Sequence, residues 1–76
     1  MSVSVAFGNL RQACIRRGLH VELRLFDGGQ SIHVVERSTG RKVFEWSSEW
    51  GDRSPVDEAA EWLIENQMIN AVDLEG

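Results

Sequence analysis

The sequence predicts a small α+β domain ordered helix, three-stranded antiparallel meander, helix (α-β-β-β-α), with both helices packed on one face of the sheet. Three observations lead there. Residues 20–47 contain three runs that alternate apolar and polar, separated by glycine-bearing turns. The segments on either side repeat their apolar residues at helical spacing instead. The 76 residues make one domain, 1–76, near the lower end of what folds unaided. A three-stranded sheet must cover one face, and two amphipathic helices on that face would do it.

The first helix is expected over residues 4–17. Phe7, Leu10 and Cys14 recur at i, i+3 and i+7, with Ala6 and Ala13 beside them. Arg11, Arg16 and Arg17 fall mostly off that stripe, and Gly18 suits the C′ stop. The start, VSVAF, also reads as a short strand. HVELRLF (20–26) puts Val21, Leu23 and Leu25 on one face and Glu22 and Arg24 on the other. Asp27-Gly28-Gly29 marks a turn tolerant of positive φ. The second strand, 30–37, points Ile32 and Val34 inward and His33, Val35 and Arg37 outward. Ser38-Thr39-Gly40 is the next turn. The third strand, 41–47, sets Phe44 and Trp46 on one face, in the core, and Val43 and Glu45 on the other. SEWGDR (48–53) is a polar loop carrying Trp50. Ser54 then serves as N-cap, with Pro55 at the first helical position and Asp57 three residues after the cap. Val56, Ala59, Ala60, Leu63, Ile64 and Met68 form the core stripe of this second helix. The tail NAVDLEG is irregular, with Val72 and Leu74 able to tuck back on the sheet.

Composition narrows the function classes. Hydrophobic residues are 42% and charged residues 26%, which is globular rather than disordered. The lone cysteine, Cys14, allows no intrachain disulfide and favours a reducing compartment. No apolar run approaches the roughly 18 residues of a membrane span. The N-terminus lacks the basic-then-apolar order of a secretory signal. The expectation is a soluble cytoplasmic protein with no membrane partner. Cys14, His20 and His33 come from three separate elements without paired spacing, so no metal site is expected. Cys14 lies on a core stripe, no phosphate-binding or nucleophile-elbow motif occurs, and a core this small leaves little room for a cofactor. No catalytic residue is assigned, and the chain reads as a non-enzyme.

Charge and tryptophan carry the functional signal. Residues 1–46 hold seven Lys/Arg against four Asp/Glu, a balance of +3; residues 47–76 hold one against eight, a balance of −7. Asp57, Glu58, Glu61 and Glu65 cluster on the outer side of the second helix, and no Lys or Arg follows Ser54. Like charges at i+3 and i+4 cost a few tenths of a kcal/mol each, roughly, where a solvated face would mix in lysine. All three tryptophans follow a glutamate: Glu45-Trp46, Glu49-Trp50 and Glu61-Trp62. Trp50, on its loop, reads either as a lid over the core edge or as a contact anchor. Trp62 stands off the central stripe, either half-buried or exposed. Together with Asp57, Glu58, Glu61 and Glu65 they would make an apolar centre in an acidic rim, as in many protein interfaces. The expected partner is a protein with a basic surface, with the chain itself a monomer or homodimer.

The order helix–strand–strand–strand–helix, over most of the chain, is similar in topology to the double-stranded RNA-binding domain. That family carries a lysine cluster at the start of its second helix, whereas Ser54-Pro55-Val56-Asp57-Glu58 is acidic and would repel a duplex. The resemblance therefore implies the fold and carries over no RNA-contacting residue. A weak nucleic-acid binder using the arginine side, and a homo-oligomeric subunit, are the alternative readings. In size, acidity and single-domain economy the chain also resembles small phage and mobile-element inhibitors of the anti-CRISPR and anti-restriction type. Such a resemblance implies a carboxylate-studded helix that occupies a cationic nucleic-acid channel.

Overall fold

The computed structural model describes residues 6–75. The elements are α1 (Phe7–Arg16), β1 (Leu19–Phe26), β2 (Gly29–Glu36), β3 (Lys42–Glu49), α2 (Pro55–Glu65) and a short 3-10 helix, η1 (Ala71–Leu74). The expected α-β-β-β-α order is present, with an antiparallel sheet in the order β1-β2-β3. The part of the expected first helix at residues 4 and 5 lies outside the described residues; the described chain is helical from Phe7. Among the described residues no helix is long and apolar enough to cross a membrane.

The helices cover one sheet face because the apolar residues of every element converge there. Val21 pairs with Val34, Leu23 with Ile32, Ile32 with Trp46 and Val34 with Phe44, so all of these share a face. Leu10, Ala13 and Cys14 of α1 and Val56, Ala59, Ala60 and Leu63 of α2 meet them in one buried core. Gly18, at φ 72, ends α1 as the spacing predicts. Ser54 caps α2 through its Oγ, which accepts the Val56 N–H at 3.2 Å, with Pro55 in the first turn.

Four local features differ from the sequence reading, each for a physical reason. The turn forms at Asp27-Gly28, closing on the Phe26–Gly29 pair, but no residue in it takes positive φ. The constraint is on Gly29 and is steric: a Cβ there would lie 2.0 Å from the Ser48 carbonyl oxygen of β3. A register shift between Val34 and Val35 sets Lys42 opposite Val35. This bulge turns Val43 from the expected outer face to the margin of the core. The third strand also continues through Ser48 and Glu49, with Ser48 opposite Gln30.

The fourth difference is at the C-terminus of α2. Gln67 takes φ 59, and the Gln67 and Met68 N–H groups donate back to Ile64 and Leu63 carbonyls at 3.0 and 2.9 Å. This is a Schellman stop with glutamine where glycine is usual. Met68 therefore packs on the core from beyond the helix, and Ile69, which the helical stripe missed, becomes fully buried. The tail is not irregular. In η1, Leu74 packs on the core and Val72 faces solvent. The Asp73 carboxylate accepts the Asn70 N–H at 2.9 Å and a bond from Arg17 Nη2 at 3.0 Å. That ion pair ties η1 to the end of α1.

Candidate functional site

The three tryptophans have three different environments. Trp62 leaves α2 toward the sheet and meets Phe44 of β3 with ring centroids 5.1 Å apart and planes tilted by 34°. Such a pair is worth about 0.5–1.5 kcal/mol beyond the area it buries. Trp62 is half-buried and packs on the core. Its free margin borders a shallow depression of about 330 Å³ that it lines with Arg41, Lys42, Val43 and Met68. Cations, not carboxylates, flank that margin.

Trp46 lies two residues further along β3 than Phe44, on the same helix-facing side. Ile32 beside it on β2 is fully buried, but β3 is an edge strand, and there Trp46 is 41% exposed. The expectation that it belongs to the core is corrected: the alternation gave its face but not its place on an edge strand. Trp50 is 54% exposed. It is fixed nonetheless, since its Nε1–H donates to the Asp27 carbonyl at 3.1 Å and its backbone N–H to the Gly28 carbonyl at 3.3 Å. The loop after β3 thereby latches onto the β1–β2 turn. The exposed indoles are those of Trp46, in the middle of β3, and Trp50, just past its end.

Carboxylates surround that end. Asp27, Glu49 and Asp52 are exposed beside Trp50 in the turn and loop that hold it. The loop leads directly into α2, whose first turn bears Asp57 and Glu58. The acidic face of α2 has a counter-charge that lies just outside the helix. Arg53 Nη1 is 2.9 Å from Glu58, and Arg53 Nη2 bonds Glu61. The paired Glu61 carboxylate and, after it, Glu58 hold the Arg53 guanidinium above its ordinary pKa. Glu61 and Glu65 are exposed, Asp57 and Glu58 are half-buried, and Glu65 has no ion-pair partner among the described residues.

Of the six residues expected to form the contact surface, Trp50 belongs to the loop after β3 and Asp57, Glu58, Glu61 and Glu65 to α2, with Arg53 joining that loop to Glu58 and Glu61, whereas Trp62 is turned to Phe44. Sequence reasoning missed Trp46 and the acidic residues Asp27, Glu49 and Asp52. The Glu-Trp pairing was a signal for Trp46, outweighed by its alternation with Phe44. Asp27 is brought in only by the tertiary contact with Trp50.

The groups that could carry other chemistry are held differently. Cys14 is buried, and that burial pushes its thiol up to about 11, so the thiolate is disfavoured near neutral pH. Among the described residues no group of three or more His, Cys, Asp or Glu side chains could hold a metal ion. On the open sheet face His33 Nδ1 lies 3.0 Å from Glu45, which Lys42 also holds at 2.5 Å. The Lys42 bond, with its charge, keeps the Glu45 carboxyl below the usual carboxylate range. No protein-family model, curated protein or solved structure matches this chain.

Proposed function

We propose that this chain is a non-enzymatic binding module that docks a protein with a basic surface through β3 and the loop after it, which bear Trp46 and Trp50. The single observation that carries this reading is that Trp46 and Trp50 are exposed along β3 and the loop after it, with Trp50 held beside Asp27, Glu49 and Asp52 in the loop that leads into the acidic start of α2. Trp50 is hydrogen-bonded in place, so little side-chain freedom is lost when it is covered. Aromatic anchors of this kind dominate interface energetics, and the carboxylate rim steers a cationic partner and fixes its register. Arg53 holds Glu58 and Glu61 together, presenting two carboxylates as one fixed pair. The finer form of the proposal is inhibition of a nucleic-acid-processing complex, because carboxylates set at fixed spacing compete with phosphates for a cationic channel.

Affinity capture from the native host, followed by titration of the captured protein, tests this. The triple reversal Glu58→Arg, Glu61→Arg and Glu65→Arg is expected to weaken binding at least about tenfold, and added salt is expected to weaken the wild-type complex. Full affinity in the charge-reversed protein overturns the reading.

A further inference from the structure

The two edges of the sheet are unlike. The β3 edge carries the register shift and Lys42, two devices that discourage strand addition. The β1 edge has neither. It runs straight for eight residues, Leu19–Phe26, with no bulge against β2, no proline and no lysine, and it ends on exposed Leu25 (69%) and Phe26.

The direction of its backbone groups follows from the hairpin. A two-residue turn closes on a hydrogen-bonded pair, here Phe26 with Gly29. The even-numbered residues of β1 therefore bond β2, and the Arg37 N–H to Gly18 carbonyl bond of 3.0 Å continues that phase past the strand end. Val21, Leu23 and Leu25 turn their N–H and C=O groups away from the sheet.

We propose that a second copy of this chain adds to this edge, β1 antiparallel to β1, about a two-fold axis at Leu23, joining the two sheets into one of six strands. The sequence of β1 is self-complementary in that register. Leu23 meets Leu23 of the second copy, and these residues, with Val21 facing Leu25, form the outward-bonding pairs that an antiparallel ladder requires. Glu22 falls opposite Arg24 of the second copy on the open face, and His20 opposite Phe26. The Glu22–Arg24 ion pair within one chain shows that both side chains already stand on that face. Leu25, uncovered in the single chain, gains Val21 and Leu23 of the second copy as neighbours. Shifting the axis by one residue in either direction loses the Glu22–Arg24 match. Asp27, Glu49, Trp50 and Asp52 all lie outside β1, so a dimer would display two such surfaces.

Sedimentation equilibrium across a concentration series tests this without any other partner. The wild-type chain is expected to dimerise between roughly 10 µM and 1 mM. Glu22→Arg and Arg24→Glu each create like-charge contacts twice, by symmetry, and each is expected to weaken the dimer about tenfold or more. The double exchange Glu22→Arg with Arg24→Glu restores the match and is expected to return dimerisation to near the wild-type level. Amide exchange at Val21, Leu23 and Leu25 slows as the dimer forms. A wild-type chain that stays monomeric at about 1 mM overturns the proposal, and so does a dimer that both single exchanges leave unchanged.

Discussion

Gly29 and Gly28 are adjacent in sequence and opposite in tolerance. A Cβ at Gly29 would meet backbone atoms of Ser48 and Glu49 within 3.0 Å, and backbone cannot move aside cheaply. At Gly28 the nearest atom is 3.6 Å away, on the flexible Phe26 ring. Gly29→Ala is expected to cost about 3 kcal/mol or more, and Gly28→Ala less than about 0.5 kcal/mol, by urea unfolding. A Gly-Gly dipeptide in a sequence marks a turn but does not say which residue the neighbouring strand will press against. The tryptophans teach the same lesson. Alternation places Trp46 correctly on the helix-facing side but does not say that β3 is an edge strand, where the indole stays exposed. Trp62→Ala removes the Phe44 contact and is expected to destabilise by about 3 kcal/mol, whereas Trp50→Ala, which loses one exposed hydrogen bond, is expected to cost about 1 kcal/mol or less. Equal losses for the two would contradict their assigned environments.

At the scale of elements, both helices were legible because their apolar stripes and stops are local signals. Gly18, Ser54 and Pro55 each act where their chemistry predicts. The end of α2 was not legible, because Gln67 occupies a left-handed position that usually selects glycine. Left-handed backbone costs a side-chain-bearing residue about 1 kcal/mol. Gln67→Gly is therefore expected to stabilise the fold by about 0.5–1 kcal/mol, read as a rise in the urea midpoint at unchanged slope. The 3-10 helix η1 depends on Asp73. Its hydrogen bond from the Asn70 N–H, then the bond and charge of Arg17, hold the carboxyl below its ordinary value of 3.8. A folded-state value below the unfolded one gives a contribution that is complete above about pH 4 and lost as pH falls through the folded value. Protection factors in residues 71–74, taken against the intrinsic exchange rate at each pH, should therefore fall in acid. Asp73→Asn should show that lower protection already at neutral pH and lose the acid dependence. An unchanged acid response in that variant would contradict the assignment.

At the scale of the whole molecule, the α-β-β-β-α order was readable because period-two and period-3.6 patterns occupy separate segments. The charge polarity was readable by counting, but its distribution in space was not. Arg53 precedes the N-cap of α2 and still folds back on Glu58 and Glu61. Asp27 joins the carboxylates near Trp50 through a contact 23 residues apart in sequence. On the proposed reading, the polarity would make association with a cationic partner salt-sensitive, and the exposed indoles would give it an apolar centre. The three tryptophans supply three indole N–H resonances, one in each environment, in a single heteronuclear spectrum. Titrating the isotope-labelled chain with the protein captured from its host reads the contact surface directly. The Trp46 and Trp50 indole signals should shift or broaden while Trp62, stacked on Phe44, holds its position. A titration that moves Trp62 and leaves Trp46 and Trp50 in place would contradict the account.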